Sequence, residues 1–77
     1  MVQAYILVQT EVGKAAEGAI RISELQGVTQ AEDVTGPYDV IVRIETESID
    51  DLGRMIVGHI QAIPGITRTV TCPVVHI

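Results

Sequence analysis

The sequence repeats itself once. Val2, Ala4 and Ile6 line up with Val40, Val42 and Ile44. Ile22, Leu25, Gly27, Val28 and Thr29 line up with Ile60, Ile63, Gly65, Ile66 and Thr67. Every pair is 38 residues apart (2 to 40, 22 to 60), so two copies of one unit nearly fill the 77 residues. Each copy reads as strand, helix, strand. Two such halves give the order βαββαβ, the split-βαβ or ferredoxin-like arrangement.

The local signals agree along the chain. Val2 to Gln9 is apolar and rich in strand-forming residues. A helix can begin at Thr10 or Glu11. Over Val12 to Gln26, Ala15, Ala16, Ala19, Ile20, Ile22 and Ser23 recur at helical spacings, and Leu25 closes the run before Gly27. Val28 to Val34 is a short polar strand, with Glu32 and Asp33 as charges suited to a sheet edge. Thr35-Gly36-Pro37-Tyr38 is turn chemistry. Asp39 to Thr46 is the next strand, with Val40, Val42 and Ile44 on one face. Ser48 is a natural N-cap, and Asp50 and Asp51 favour the positive end of the next helix. Its apolar face is Ile49, Leu52, Ile56, Ile60 and Ile63, with Met55 and His59 at the margins, and Pro64-Gly65 stops it. Ile66 to Cys72 is the last strand. Strict alternation puts Ile66, Arg68, Val70 and Cys72 on one side and Thr67, Thr69 and Thr71 on the other. Pro73 interrupts it, because proline cannot donate to a ladder. Val74 to Ile77 is apolar and reads as extended.

The expected fold is therefore α+β: a four-stranded antiparallel sheet with two helices, one domain over residues 1–77. Two helices cover only one face of such a sheet. In the first strand Ala4, Ile6 and Val8 point one way while Tyr5 and Leu7 point the other, so both faces are apolar. A domain this small buries only about 60% of the surface its unfolded chain exposes. The one cysteine, Cys72, makes an internal disulfide impossible, and hydrophobic residues make up 47% of the chain. Partner subunits remain as the source of extra burial. Face-to-face dimerisation through the sheet is the expected solution.

Charge narrows the function. The formal net charge is −5, and the five basic residues stand singly. Nucleic-acid binders carry a basic stripe that displaces counterions from phosphate, so direct nucleic-acid binding is not expected. No apolar run approaches the ~18–20 residues of a membrane span. Met1 to Tyr5 lacks the basic start of a signal peptide. The single free thiol fits a reducing compartment, and the cytoplasm is the expected location.

Motifs for catalysis are missing: there is no G-x-S-x-G, H-E-x-x-H, Walker loop or C-x-x-C. His59 reads as a packing or surface residue and His76 as an edge-strand residue. Cys72 reads as a small buried hydrophobe. No catalytic set, metal site or cofactor is expected. One constellation invites a ligand. Thr35-Gly36-Pro37-Tyr38-Asp39 joins a turn to an aromatic ring and a carboxylate, and Thr67, Thr69 and Thr71 set three hydroxyls on one strand face. A carboxylate, backbone N–H groups near Gly36 and threonine hydroxyls would suit an amino acid. The same residues also have a purely structural reading, as a turn, its hairpin anchor and strand-favouring threonines.

Val34-Thr35-Gly36-Pro37-Tyr38-Asp39-Val40 resembles the V-T-G-x-Y-D signature of the Lrp/AsnC family of amino acid-responsive regulators. Ile63 to Thr69 is similar to the family's I-x-G-V-x-x-T segment, and the likeness covers essentially the whole chain. The matching part is the C-terminal effector domain, often called RAM. The resemblance implies a ferredoxin-like fold that dimerises through its sheets and builds rings, commonly octamers or decamers, with amino acids bound between dimers. Gly36, Tyr38 and Asp39 would supply the loop side of that site, and Thr67, Thr69 and Thr71 the strand side. The sequence starts at the first effector strand, with no helix-turn-helix domain before it, and so resembles the stand-alone members. The function this implies is an amino acid effector and oligomerisation module for transcriptional regulation, acting by self-assembly or with full-length relatives. The competing expectation is a dimeric α+β barrel enzyme of monooxygenase or isomerase type, with its pocket inside each subunit. A third is a ring-forming subunit that binds nothing.

Overall fold

The structure, a computed structural model, describes residues 1–75. Its elements run β1 (Val2–Thr10), α1 (Ala15–Ser23), β2 (Val28–Asp33), β3 (Val40–Thr46), α2 (Ile49–Met55) and β4 (Ile66–Pro73), with a π-helical turn (Ile56–Ile60) continuing α2. The strands form one antiparallel sheet in the order β2-β3-β1-β4. This is the expected βαββαβ arrangement, with the first strand of each half at the centre.

Register decides which side chains share a face. Ala4, Ile6 and Val8 stand opposite Ile44, Val42 and Val40. All six are fully buried and form the sheet side of the core. Ala19 and Ile22 cover them from α1, and Leu52, Ile56 and Ile60 cover them from α2 and its extension. On the opposite face Tyr5 stands across from Arg43 and Cys72, and Leu7 from Ile41 and Val70. Among the described residues no helix or strand covers that face. It is not uniformly apolar, since Arg43 lies 5.6 Å from the Tyr5 ring centre and donates to its hydroxyl at 3.2 Å.

The first helix is shorter than its spacing predicts. β1 continues through Thr10, and Gly13 takes φ +82°, which no helix interior accepts. Val12 is left fully exposed and the helix begins at Ala15. At its far end Ser23 is the last helical residue, and Leu25 closes a tighter turn by donating to the Ile22 carbonyl.

In the second helix, Ser48 caps as expected: its Oγ accepts from the Asp51 amide at 3.2 Å. Ile49, expected on the apolar face, is exposed instead. The buried positions Leu52, Ile56 and Ile60 recur every fourth residue. At 3.6 residues per turn, each such step overshoots by about 40° in an α-helix. A second step would carry Ile60 well off the core. The π-helical turn, in which the Gln61 amide donates to the Ile56 carbonyl at 2.8 Å, rotates less per residue and returns Ile60 inward.

The last strand departs from strict alternation. A bulge lets Gln9 oppose Arg68 while Thr10 opposes Ile66, leaving Thr67 unpaired. Ile66 therefore packs on the helix-covered side, against the position of Gly18, and does not share a face with Val70. Pro73 belongs to β4 after all. It lies on the outer strand, and the next amide, Val74, donates to Gln3 at 2.8 Å. Cys72, expected to be buried, is exposed because it points from an outer strand toward the uncovered face. Val74 and Val75 lie beyond the strand; His76 and Ile77, expected to be extended, are outside the described residues.

Candidate functional site

The segment between β2 and β3 is built into the sheet at both ends. Val34 donates to the Asp39 carbonyl at 2.8 Å, and the Asp39 amide donates to the Val8 carbonyl at 2.9 Å. The Asp39 side chain then turns inward: Oδ2 accepts from the Thr10 amide at 2.8 Å and from its hydroxyl at 3.3 Å. Gln9 Nε2 donates to the Pro37 carbonyl at 3.0 Å. Four bonds to β1 thus hold a six-residue loop whose tip is Gly36-Pro37. Residues missed by sequence reasoning carry much of this. Thr10 lies 29 residues from Asp39, and nothing local marks it as a partner.

This loop overhangs the uncovered face. Leu7 and Ile41 form the floor of a hollow of about 500 Å³, and Val34, Pro37 and Tyr38 its wall. The alternation that buries Val40 and Val42 could have located Ile41 on the opposite face. Gly36 stands at the rim, where a side chain would meet nothing. The lining carries no charged side chain.

The structure brings Gly36 and Tyr38 together at this hollow, with Asp39 as the anchor beside it. It does not bring the three threonines there within one chain. Thr69 stands opposite Val8 and Thr71 opposite Ile6, on the helix-covered side of the sheet. Thr69 Oγ1 accepts from Gln61 Nε2 at 2.9 Å. Thr67 is exposed at the bulge.

A second, larger cleft of about 740 Å³ opens at the other end of the sheet, between Leu25 to Thr29, Glu45 to Glu47, and α2 with His59. His59 is exposed. Asp51, at its edge, is held below the ordinary carboxylate range by its bond to Arg54 and then by Ser48. Among the described residues no set of three or more His, Cys, Asp or Glu side chains could hold a metal, and no helix is long and apolar enough to cross a membrane.

The family model for the Lrp/AsnC ligand binding domain matches residues 3–77. The chain belongs to the Lrp/AsnC family. Among its curated relatives, the HTH-type transcriptional regulator FL11 of Pyrococcus horikoshii is 32% identical over 68 residues, 88% of this chain and 44% of FL11. The chain spans about half the length of the curated regulators it matches first. Some solved structures are covered almost completely. The hypothetical protein PHS023 from Pyrococcus horikoshii superposes with a TM-score of 0.91 at 36% identity, over 99% of this chain and 92% of that one. The transcriptional regulator NMB0573 of Neisseria meningitidis, solved with L-Met, has the same fold at 17% identity and a TM-score of 0.86, over 97% of this chain and 50% of that one. For this Lrp/AsnC domain the fold and the regulatory setting of its relatives thus coincide with the signature residues of the β2–β3 loop.

Proposed function

We propose that this domain binds an amino acid effector in the cytoplasm and converts binding into a change of assembly, as the regulatory module of a transcriptional system. The observation that carries the reading is the signature loop, anchored through Asp39 and overhanging an uncovered apolar sheet face. Effector domains in this family are ligand-binding modules, and NMB0573 was crystallised with L-Met. The uncovered face is proposed to close against a second copy, and dimers to associate further into an octamer or decamer. Full-length Lrp/AsnC regulators are the proposed co-assembly partners.

In this reading Gly36 and Tyr38 line the site and the free Oδ1 of Asp39 faces the effector's ammonium. Thr67, Thr69 and Thr71 contribute from a neighbouring copy, since Thr69 and Thr71 face away from the hollow in their own chain. A ligand bridging subunits shifts assembly by its differential affinity for the two states. A tenfold preference corresponds to about 1.4 kcal/mol per site.

Light-scattering mass with each amino acid in turn tests the proposal. The expected result is a multi-dimer mass that one amino acid shifts. Asp39→Asn keeps an oxygen for Thr10 but removes the charge, so it should preserve the mass and weaken the effector's action at least tenfold. A plain dimer unaffected by any amino acid would overturn the reading.

A further inference from the structure

Resting on the effector reading, we infer that Thr10 joins the two half-sites that each chain carries, the loop with Asp39 and the strand with Thr67, so that effector bound at one junction of the assembly favours binding at the next. The end of β1 makes this link. Gln9 and Thr10 each hold the loop on one side and stand in the β4 ladder on the other. Gln9 Nε2 donates to the Pro37 carbonyl at 3.0 Å, and Gln9 stands opposite Arg68. Thr10 donates to Asp39 Oδ2 at 2.8 Å from its amide and at 3.3 Å from its hydroxyl, and stands opposite Ile66. The residue skipped between those two ladder partners is Thr67. The next amide, Glu11, donates to the Gly65 carbonyl at 2.8 Å and closes the bulge from its other side.

The Thr10 methyl makes a third contact. Thr10 Cγ2 and Ile66 Cδ1 lie 3.6 and 3.5 Å from where a Cβ on the buried Gly18 would stand. Loop, last strand and first helix thus meet at one side chain. A bulge sets the aim of its extra residue. The aim of Thr67 therefore depends on where Thr10 sits, and Thr10 is held by Asp39. Oδ1 of Asp39 accepts from nothing among the described residues. An effector ammonium on that oxygen fixes the carboxylate, and with it Thr10 and the bulge. The ordering is then complete before a second effector meets Thr67 at the neighbouring junction, and that effector binds more tightly. Coupling of this kind is reciprocal: effector held on Thr67 also steadies Asp39 in the same chain.

Two measurements on the intact chain test the link. The first needs no effector: the NMR signals of Thr67 are compared in wild type, Thr10→Val, Thr10→Ser and Asp39→Ala. Thr10→Val keeps the shape and the amide but removes the hydroxyl. The expected result is that Thr67 signals move in Thr10→Val and Asp39→Ala and return in Thr10→Ser. Signals unmoved by Thr10→Val and Asp39→Ala would overturn the inference and leave the effector reading intact. If Asp39→Ala fails to fold, the two Thr10 variants decide. The second is titration calorimetry with light-scattering mass, using each proteinogenic L-amino acid in turn. Binding should be sigmoidal in wild type, and hyperbolic and about threefold to tenfold weaker in Thr10→Val at unchanged assembly mass. Hyperbolic binding by wild type, or a Thr10→Val curve that stays sigmoidal, would overturn the inference alone. Binding of no amino acid would remove the effector reading and the inference with it.

Discussion

The two halves of this chain share one sequence plan but close differently around their glycines. Gly27 and Gly65 are 38 residues apart and both adopt φ +94°. Each carbonyl accepts a backbone bond of 2.8 Å, from Glu45 and from Glu11 respectively. Each precedes a bulge two positions on, at Thr29 and at Thr67. The pairing is nevertheless displaced. Repeating the first half would set Gly65 against residue 7 (45 minus 38), yet it meets Glu11, four residues further along. The reason lies in strand length: β1 has nine residues and β3 seven. The longer strand carries its following turn over Gly65, where Lys14 packs. The shorter one stops at Thr46, and the larger cleft stays open beside Gly27. Equal sequence units therefore produce unequal ends, and the difference resides in register.

The core isoleucines test how far the equivalence extends. Ile22 and Ile60 are repeat partners and both fully buried, one on an α-helix and one on the π-helical turn. Truncating either to alanine should cost about 2–5 kcal/mol in urea denaturation. Costs within about 1 kcal/mol of each other would mean that the π turn packs Ile60 as firmly as an α-helix packs Ile22. A much smaller cost at Ile60 would break the equivalence.

The glycine pair tests the difference itself. Both share the conformational penalty of a left-handed non-glycine residue, about 1–2 kcal/mol. An added Cβ at Gly27 would also stand 2.8 Å from the Glu45 carbonyl oxygen, which is backbone and cannot move aside. At Gly65 it would stand 3.2 Å from Lys14 Cβ, a milder contact that asks its neighbour to give by only a few tenths of an ångström. Gly27→Ala should therefore destabilise by about 3 kcal/mol and Gly65→Ala by about 1–2 kcal/mol. Equal costs would show that register does not separate the two ends.

Smaller effects are confined to α2. Gly53 lies in the helix with no atom near the position of a Cβ. Gly53→Ala should stabilise by about 0.5–1 kcal/mol, raising the urea midpoint. The smallest effect is the pH dependence of the cap. Asp51 is held below its ordinary range in the folded state by Arg54 and Ser48. Its contribution is present at neutral pH and is lost as pH falls from the ordinary carboxylate value toward the lowered one. Helix signal followed down that range should decline later in wild type than in a reference peptide. Asp51→Asn should remove this acid-dependent part.

Much of the fold was legible because local rules and global fold agree. The repeat, the alternation in β1 and β3, the Ser48 cap and the glycines after each helix all follow from backbone periods and conformational preferences. The misreadings share a cause. Thr10 reads as a helix start and Ile66 as a neighbour of Val70, because one bulge and one positive-φ glycine change direction without altering the apolar pattern. The candidate site was half legible. Gly36, Tyr38 and Asp39 lie close together in sequence, so any fold that forms the turn presents them together. Thr10, Leu7 and Ile41 join them only through strand pairing.

By itself, then, the sequence determined the order of elements, the two-fold repeat and which side chains share a face of each central strand. Side-chain period and turn chemistry are local properties that a short window already contains. Tertiary structure alone decided the four-residue offset between the halves, the bond from Thr10 to Asp39, and the separation of Thr69 and Thr71 from the hollow. Those depend on how distant strands slide past one another, and sliding is settled by the whole sheet packing against both helices at once.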